Sequence, residues 1–236
     1  MAGWNKWHDR LLRPLMSKRQ RQRMIAIASK WVERDFFTRA YAKHHAIPGI
    51  ADQRVFFLQS CLRSLDGVDG DIAECGVRHG RSTLFLAEAN DKNRPIHIFD
   101  SFEGLSDASP DKDAGVDTLK KDGTRRFNIR NLDKVLNRFK AYDEIAVYQG
   151  WIPDRFAEIA DRRFAFVHID VDLYQPTLDA LDFFWDRLNP GGIVVCDDYG
   201  SKPYPGAELA FEEFFADKAE RPIELPSAQA IVVKRG

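Results

Sequence analysis

The 236-residue chain predicts a doubly wound α/β fold: a mostly parallel, seven-stranded sheet with an antiparallel C-terminal hairpin and an N-terminal helical arm. Three observations carry this expectation. From residue 50 onward, short apolar runs alternate with segments of helical period. Glycines follow the first of these runs, at the strand-to-helix turn. Two later runs, Phe164 to Ile169 and Ile193 to Cys196, end abruptly in acids: Asp170 and Asp172 after the first, Asp197 and Asp198 after the second.

The composition, 44% hydrophobic and 30% charged, is that of a globular protein with a core that needs no staples. A net charge of -1 gives no overall pull toward nucleic acid, and no nucleic-acid partner is expected. The charge is uneven, however. Residues 1–45 hold eleven Lys and Arg against three acids, so a basic arm (residues 1–49) precedes an acidic body (residues 50–236). Cys75 and Cys196 close apolar strands and Cys61 lies on a helix-like stretch, so no disulfide framework is expected. No run approaches the roughly 18 apolar residues of a membrane span, and charges interrupt any signal-peptide core. A reducing cytoplasm is the expected compartment.

Taken in order, Trp4, Trp7, Leu11 and Leu15 recur at helical spacing, followed by Met24, Ala28, Trp31 and Asp35 or Phe36, until Pro48-Gly49 breaks the arm. A helix over 52–65 leads through Gly67–Gly70 into a first strand, 71–75, and a helix over 82–90 into a second, 96–100. Residues 101–127 are polar and aperiodic, and a loop of that length is functional or disordered. Next come a helix over 131–141, a strand over 145–149, a short helix over 153–160 and a strand over 164–170. The helix over 177–188 is expected to stop at Asn189-Pro190-Gly191-Gly192, before a fifth strand over 193–197. A helix over 206–219 precedes two short strands, 222–225 and 229–234, whose link is too short for a crossover and requires an antiparallel pair.

The first turn reads Glu74-Cys75-Gly76-Val77-Arg78-His79-Gly80-Arg81-Ser82. Its glycines let backbone approach a ligand, and the helix start behind them offers free N–H groups to an anion. The spacing differs from the dinucleotide fingerprint Gly-x-Gly-x-x-Gly. Asp100, closing the second strand, is placed to accept both hydroxyls of a ribose. Glu74, Gly76, Gly80, Ser82, Asp100 and its neighbour Ser101 therefore describe a nucleoside site with little provision for pyrophosphate. S-adenosylmethionine is such a ligand. Gly150 and Trp151, after the third strand, fall near its adenine end, although core packing is the favoured reading of Trp151.

Four acids at the ends of buried strands are costly unless they bind a cation or act on a substrate. If the two strands are neighbours, their carboxyl ends bring the acids together at the edge where open sheets bind ligands. His168, Asp170 and Asp172 share one face if the strand stays extended. Of these, Asp172 is the better candidate for a base, and a hydrogen-bonded core role is favoured for His168. Asp172 also suits a supporting partner of the metal.

Together, Ala73 to Val77 with Gly80-Arg81-Ser82, the run Phe99 to Gly104, Gly150 to Asp154, His168 to Tyr174, Pro190 to Gly192, and Asp197-Asp198-Tyr199 resemble the macrocin O-methyltransferase family, over roughly residues 50–236. The resemblance implies a class I methyltransferase domain, of Rossmann-like fold, that uses S-adenosylmethionine and magnesium to methylate a sugar hydroxyl of a natural product or glycan. It implies that Asp170, Asp197 and Asp198 hold the metal; with Asp172 read from its position as the better base, Asp170 and Asp172 are the expected catalytic acids. Catechol-type relatives carry a Lys three residues after the first metal acid, where this chain has Leu173.

Two rival readings remain at this point. Asp170-Val171-Asp172 also resembles the Asp-x-Asp of nucleotide-sugar glycosyltransferases, which leaves the glycine turn and Asp100 unexplained. The arm, with Trp4, Trp7, Leu11 and Leu15 beside Lys18, Arg19, Arg21 and Arg23, could lie on an anionic bilayer as a peripheral membrane or scaffold element at the inner membrane face. The favoured role for the arm is packing on a partner subunit or over the pocket, and a homo-oligomer is expected.

Overall fold

The computed structural model describes residues 30–236. The periodic set from Trp4 to Leu15, and Met24 and Ala28 of the second set, lie outside the described residues. The described part opens with a 3-10 turn, Lys30–Glu33, and helix α1, Asp35–His44. Helix α1 does not project from the body. Its Phe37 and Ala40 are buried with Val55 and Phe85, and the rings of Trp31, Phe36 and Phe37 lie 5.2–5.8 Å from Phe56. Aromatic burial of this kind outweighs the exposed charges on the opposite face of the helix.

Helix α2, Asp52–Arg63, leads into the sheet. The elements that follow are β1 (Asp71–Cys75), α3 (Arg81–Ala89), β2 (Ile96–Asp100), α4 (Leu132–Phe139), β3 (Ile145–Gln149), a 3-10 turn (Phe156–Ile159), β4 (Phe164–Ile169), α5 (Tyr174–Phe184), β5 (Leu188–Cys196), α6 (Pro205–Phe215), β6 (Ile223–Glu224) and β7 (Ala230–Val233). The seven strands are ordered β3-β2-β1-β4-β5-β7-β6. The first five of these are parallel, and β7 inserts antiparallel between β5 and β6. The expected hairpin is therefore present, with its second strand against the parallel sheet.

Strand β4 is buried over its whole length, as a central parallel strand covered on both faces must be. One face carries an aromatic core that includes Phe99, Phe156, Phe164, Phe184, Phe211 and Phe215, beneath α5 and α6. The other carries Leu58, Ile72, Leu84, Ile98, Phe166 and Val195, beneath α2 and α3. All three cysteines are buried and free. No described helix is long and apolar enough to cross a membrane.

Register sets the site. Glu74 pairs with His168, His168 with Val195, and Ile169 with Cys196. The residues just beyond β4 and β5, Asp170 and Asp197, are thereby neighbours, and the switch in strand order beside β1 opens a crevice above them.

Two expectations about element ends are corrected. Asn189-Pro190-Gly191-Gly192 is not a helix stop: α5 ends at Phe184, and β5 begins at Leu188 and runs through these residues. Tertiary pairing overrides the local signal here, because Gly191 N donates to Lys234 O at 2.8 Å and Lys234 N to Gly192 O at 2.9 Å. Strand β4 ends at Ile169, one residue short of the expected Asp170. Residues 101–127 hold only an isolated bridge, Leu119 to Arg125, yet they are anchored: the buried Asp113 carboxylate accepts the backbone N–H groups of Ser109 (2.8 Å) and of Tyr174 (2.9 Å) at the start of α5.

Candidate active site

The glycine turn and the acids belong to one cleft of about 300 Å³. Gly76 has φ +87°, and a Cβ there would lie 1.8 Å from the carbonyl oxygen of Asp170, so only glycine lets β1 turn this close to the tip of β4. Asp170 N donates to Cys75 O at 2.8 Å and locks the two tips together.

Asp100 organises the same turn. Its Oδ2 accepts the N–H groups of Val77 (2.7 Å) and Arg78 (2.6 Å), and its Oδ1 that of Phe102 (2.6 Å). Burial raises its pKa, against the pull of those three donors. A carboxylate has about four lone-pair sites, so about one acceptor site remains on Asp100, fewer than the two that both hydroxyls of a ribose would use. Gly76, Ser82, Asp100, Ser101, Gly150 and Trp151 all line the cleft. Trp151 stands half-buried on the cleft wall rather than within the core, with the Arg125 guanidinium 5.3 Å from its ring centroid.

Two residues of the expected cofactor set are absent from the cleft wall. Glu74 is fully buried, accepting from Thr83 Oγ1 and hydrogen-bonded to His168 Nδ1 at 2.9 Å. Gly80 has φ +78° and caps α3 from outside, where an added Cβ would strike the Phe139 ring at 2.5 Å. Both shape the turn from beneath.

On the acid side, ligand oxygens of Asp170, Asp197 and Asp198 all lie within 4.8 Å of one another. Burial, then repulsion from Asp197 and Asp198, pushes Asp170 well above the ordinary carboxylate range, and burial with Asp197 beside it pushes Asp198 to about 6. Asp197 is held lower despite its burial, by His168 and Arg54. Its Oδ1 accepts from Gln229 Nε2 at 2.8 Å and its Oδ2 from Arg54 Nη1. Asp198 Oδ2 is buried with no hydrogen-bond partner among the described residues. Convergent carboxylates, an orphaned buried oxygen and an all-oxygen donor set fit a hard divalent ion such as magnesium.

Asp172 also lines the cleft, but not through the strand pleat. It lies beyond the end of β4 with φ +63°, so a left-handed turn aims it there. Its carboxylate has no hydrogen-bond partner among the described residues, and burial with Asp198 and Asp197 nearby raises its pKa well above the ordinary value. His168 stays in the core with no exposed surface. Its Nε2 lies 3.5 Å from Asp197 Oδ1, an ion-pair rather than hydrogen-bond separation. Burial opposes its charge, but the Asp197 and Glu74 carboxylates on either side lift its pKa to about 9.

The sequence reading missed Arg54 on α2 and Gln229 in the turn before β7, since neither belongs to a local motif. It also passed over a rim of Arg78 and Phe127 on the cleft wall with Tyr204 beside them. The Arg78 guanidinium lies 4.4 Å from the Phe127 centroid, and Phe127 lies 6.1 Å from Tyr204. Arg78 and Phe127 both have positive φ, 50° and 66°, which for side chains of this size marks a position enforced by its surroundings.

The sheet order and a cleft above the tips of β1 and β4 define the class I methyltransferase fold. Among solved structures, the O-methyltransferase NovP aligns with a TM-score of 0.68 at 25% identity, over 81% of this chain and 83% of that one. Residues 5–229 match the family model Macrocin-O-methyltransferase (TylF), and the chain belongs to that family. It is 33% identical over 171 residues to 8-demethyl-8-(2,3-dimethoxy-alpha-L-rhamnosyl)-tetracenomycin-C 4'-O-methyltransferase of Streptomyces olivaceus, covering 66% of this chain and 62% of the relative. It is 31% identical over 163 residues to Mycinamicin III 3''-O-methyltransferase of Micromonospora griseorubida, covering 64% of each. The chain thus spans somewhat under two thirds of the length of these relatives.

Proposed function

We propose that the protein is an S-adenosylmethionine- and magnesium-dependent O-methyltransferase whose acceptor is a sugar hydroxyl on a small natural product or glycan. The observation that carries this reading is the meeting of the three-carboxylate cluster and the glycine turn in one cleft, in a chain of this family. The relative from Streptomyces olivaceus is named for O-methylation of a rhamnosyl-bearing compound, which supports the acceptor class. Family membership gives no support to the glycosyltransferase alternative.

In this reading Gly76, Ser82, Asp100, Ser101, Gly150 and Trp151 orient the methyl donor. Asp170, Asp197 and Asp198 hold magnesium, which supplies positive charge that favours the deprotonated acceptor. Asp172, without a hydrogen-bond partner among the described residues and on the cleft wall, takes the hydroxyl proton. Arg78, Phe127 and Tyr204 form the wall against which the sugar lies, because aromatic faces exclude water while the guanidinium binds hydroxyl oxygens. Holding acceptor oxygen, methyl and sulfur in line is the main work of the cleft, since orientation is a large part of the rate gain.

The test is methyl transfer from radiolabelled S-adenosylmethionine to a panel of sugar glycosides, with magnesium and with chelator. Transfer to sugars that chelator abolishes is expected, and Asp197→Asn should remove turnover while cofactor affinity stays within about twofold. Undiminished transfer in chelator, or equal loss of turnover and cofactor binding in Asp197→Asn, overturns the metal assignment.

A further inference from the structure

Arg54 reaches into the acid cluster from α2, and it lines the cleft together with the three carboxylates. Its Nε donates to Ser227 O at 3.0 Å, which fixes the guanidinium plane, and its Nη1 donates to Asp197 Oδ2. The side chain is only 20% exposed and Asp197 1% exposed, so solvent does not screen the pair. Gln229 already occupies Asp197 Oδ1, so both oxygens of this carboxylate are engaged by protein donors. Asp198 Oδ2, by contrast, has no partner among the described residues. Arg54 therefore donates to Asp197 from the cleft wall, while His168 faces the same carboxylate at 3.5 Å from within the core, and Asp197 is the acid that the other two need in order to complete an ion site.

We propose that Arg54 is the resident counter-ion of this cluster, holding Asp197 when no divalent ion is bound and weakening the site's affinity for that ion. The inference rests on the assignment of Asp170, Asp197 and Asp198 to a metal. An ion that takes an oxygen from each acid competes with the Arg54 N–H for Asp197, or else sits beside a like charge in a water-poor setting. Either way, binding must overcome the guanidinium. Removing that charge raises affinity for the ion and leaves the metal-free cluster repelling itself. The arrangement keeps the empty site folded and makes occupancy sensitive to the concentration of free metal.

The measurement is calorimetric binding of magnesium, and of manganese as a second probe, to the full chain and to Arg54→Met, Arg54→Gln and Arg54→Lys, with melting curves with and without metal. The neutral variants should bind metal at least tenfold more tightly than the parent, melt lower without it, and gain more from its addition. Arg54→Gln keeps an amide donor for Ser227 O and covers the case in which Arg54→Met does not fold. Arg54→Lys retains the charge and should stay near the parent. Equal or weaker metal binding in the neutral variants overturns the proposal, as does tightening of the same size in Arg54→Lys. Absence of binding in every protein overturns the metal assignment itself, a result distinct from equal binding throughout.

Discussion

Replacing Glu74 with Gln separates a residue that holds the cofactor from one that holds the fold. The substitution is isosteric, so no cavity opens and the change is one of charge and hydrogen bonding. The carboxylate of Glu74 accepts from Thr83 Oγ1 and faces His168 Nδ1 at 2.9 Å, and neither Glu74 nor His168 has exposed surface. An amide can keep one of these bonds but removes a formal charge from beside a histidine whose pKa stands near 9. Breaking a buried pair by changing one partner costs about 3–5 kcal/mol. Asp197 remains 3.5 Å from the other ring nitrogen, which places the expected loss at the low end, about 3 kcal/mol. For a chain of this size that lowers the melting midpoint by roughly 6–12 °C. Affinity for S-adenosylhomocysteine should change less than twofold, because Glu74 is absent from the cleft wall. Differential scanning calorimetry and titration calorimetry on the same samples provide both readings. An unchanged melting midpoint with a tenfold loss of cofactor affinity would refute the placement of Glu74.

Three further outcomes follow from the same geometry. Gly76→Ala combines a left-handed φ of +87° with a Cβ 1.8 Å from Asp170 O, so it should cost at least about 2 kcal/mol and weaken cofactor and metal binding together, as paired titrations would show. Asp172→Asn should lower kcat by about 10²–10⁴ with acceptor KM changed little, since a general base acts in the transition state, and steady-state kinetics would check it. Away from the cleft, His44 lies 3.1 Å from the Tyr142 hydroxyl and 3.3 Å from Glu88, and burial lowers its pKa despite that carboxylate. A histidine whose folded pKa is depressed binds protons more readily when unfolded, so its share of stability is present above the unfolded value of 6.5 and is lost on acidification below it. Melting curves of His44→Gln should show a flatter pH dependence than the parent between pH 7 and pH 5.

Much of this architecture is legible in local pattern. Strands 71–75, 96–100 and 145–149 coincide with the observed β1, β2 and β3, because apolar runs bounded by turn residues have few alternatives. The acids after β4 and β5 stand out because several carboxylates at the ends of two buried runs are costly unless something binds or pairs them. The expectation that Asp170 and Asp172 share a strand face reached the right cleft by the wrong route. The strand ends at Ile169, and the left-handed turn at Asp172, which period-two reasoning does not foresee, does the aiming. The expected helix stop at residues 189–192 failed because backbone pairing with Lys234, just past β7, overrides a local breaker signal.

Composition and spacing along the chain determined the alternating elements, the glycine turn and the pairs of acids at strand tips, since each depends on residues close in sequence. Only the tertiary structure decided which way Glu74 faces, where His168 sits between two carboxylates, and that Arg54 and Gln229 meet on Asp197. Arg54 and Asp197 lie 143 residues apart. What joins them is strand order and helix docking, and these are set by how whole faces are buried rather than by any local run of residues.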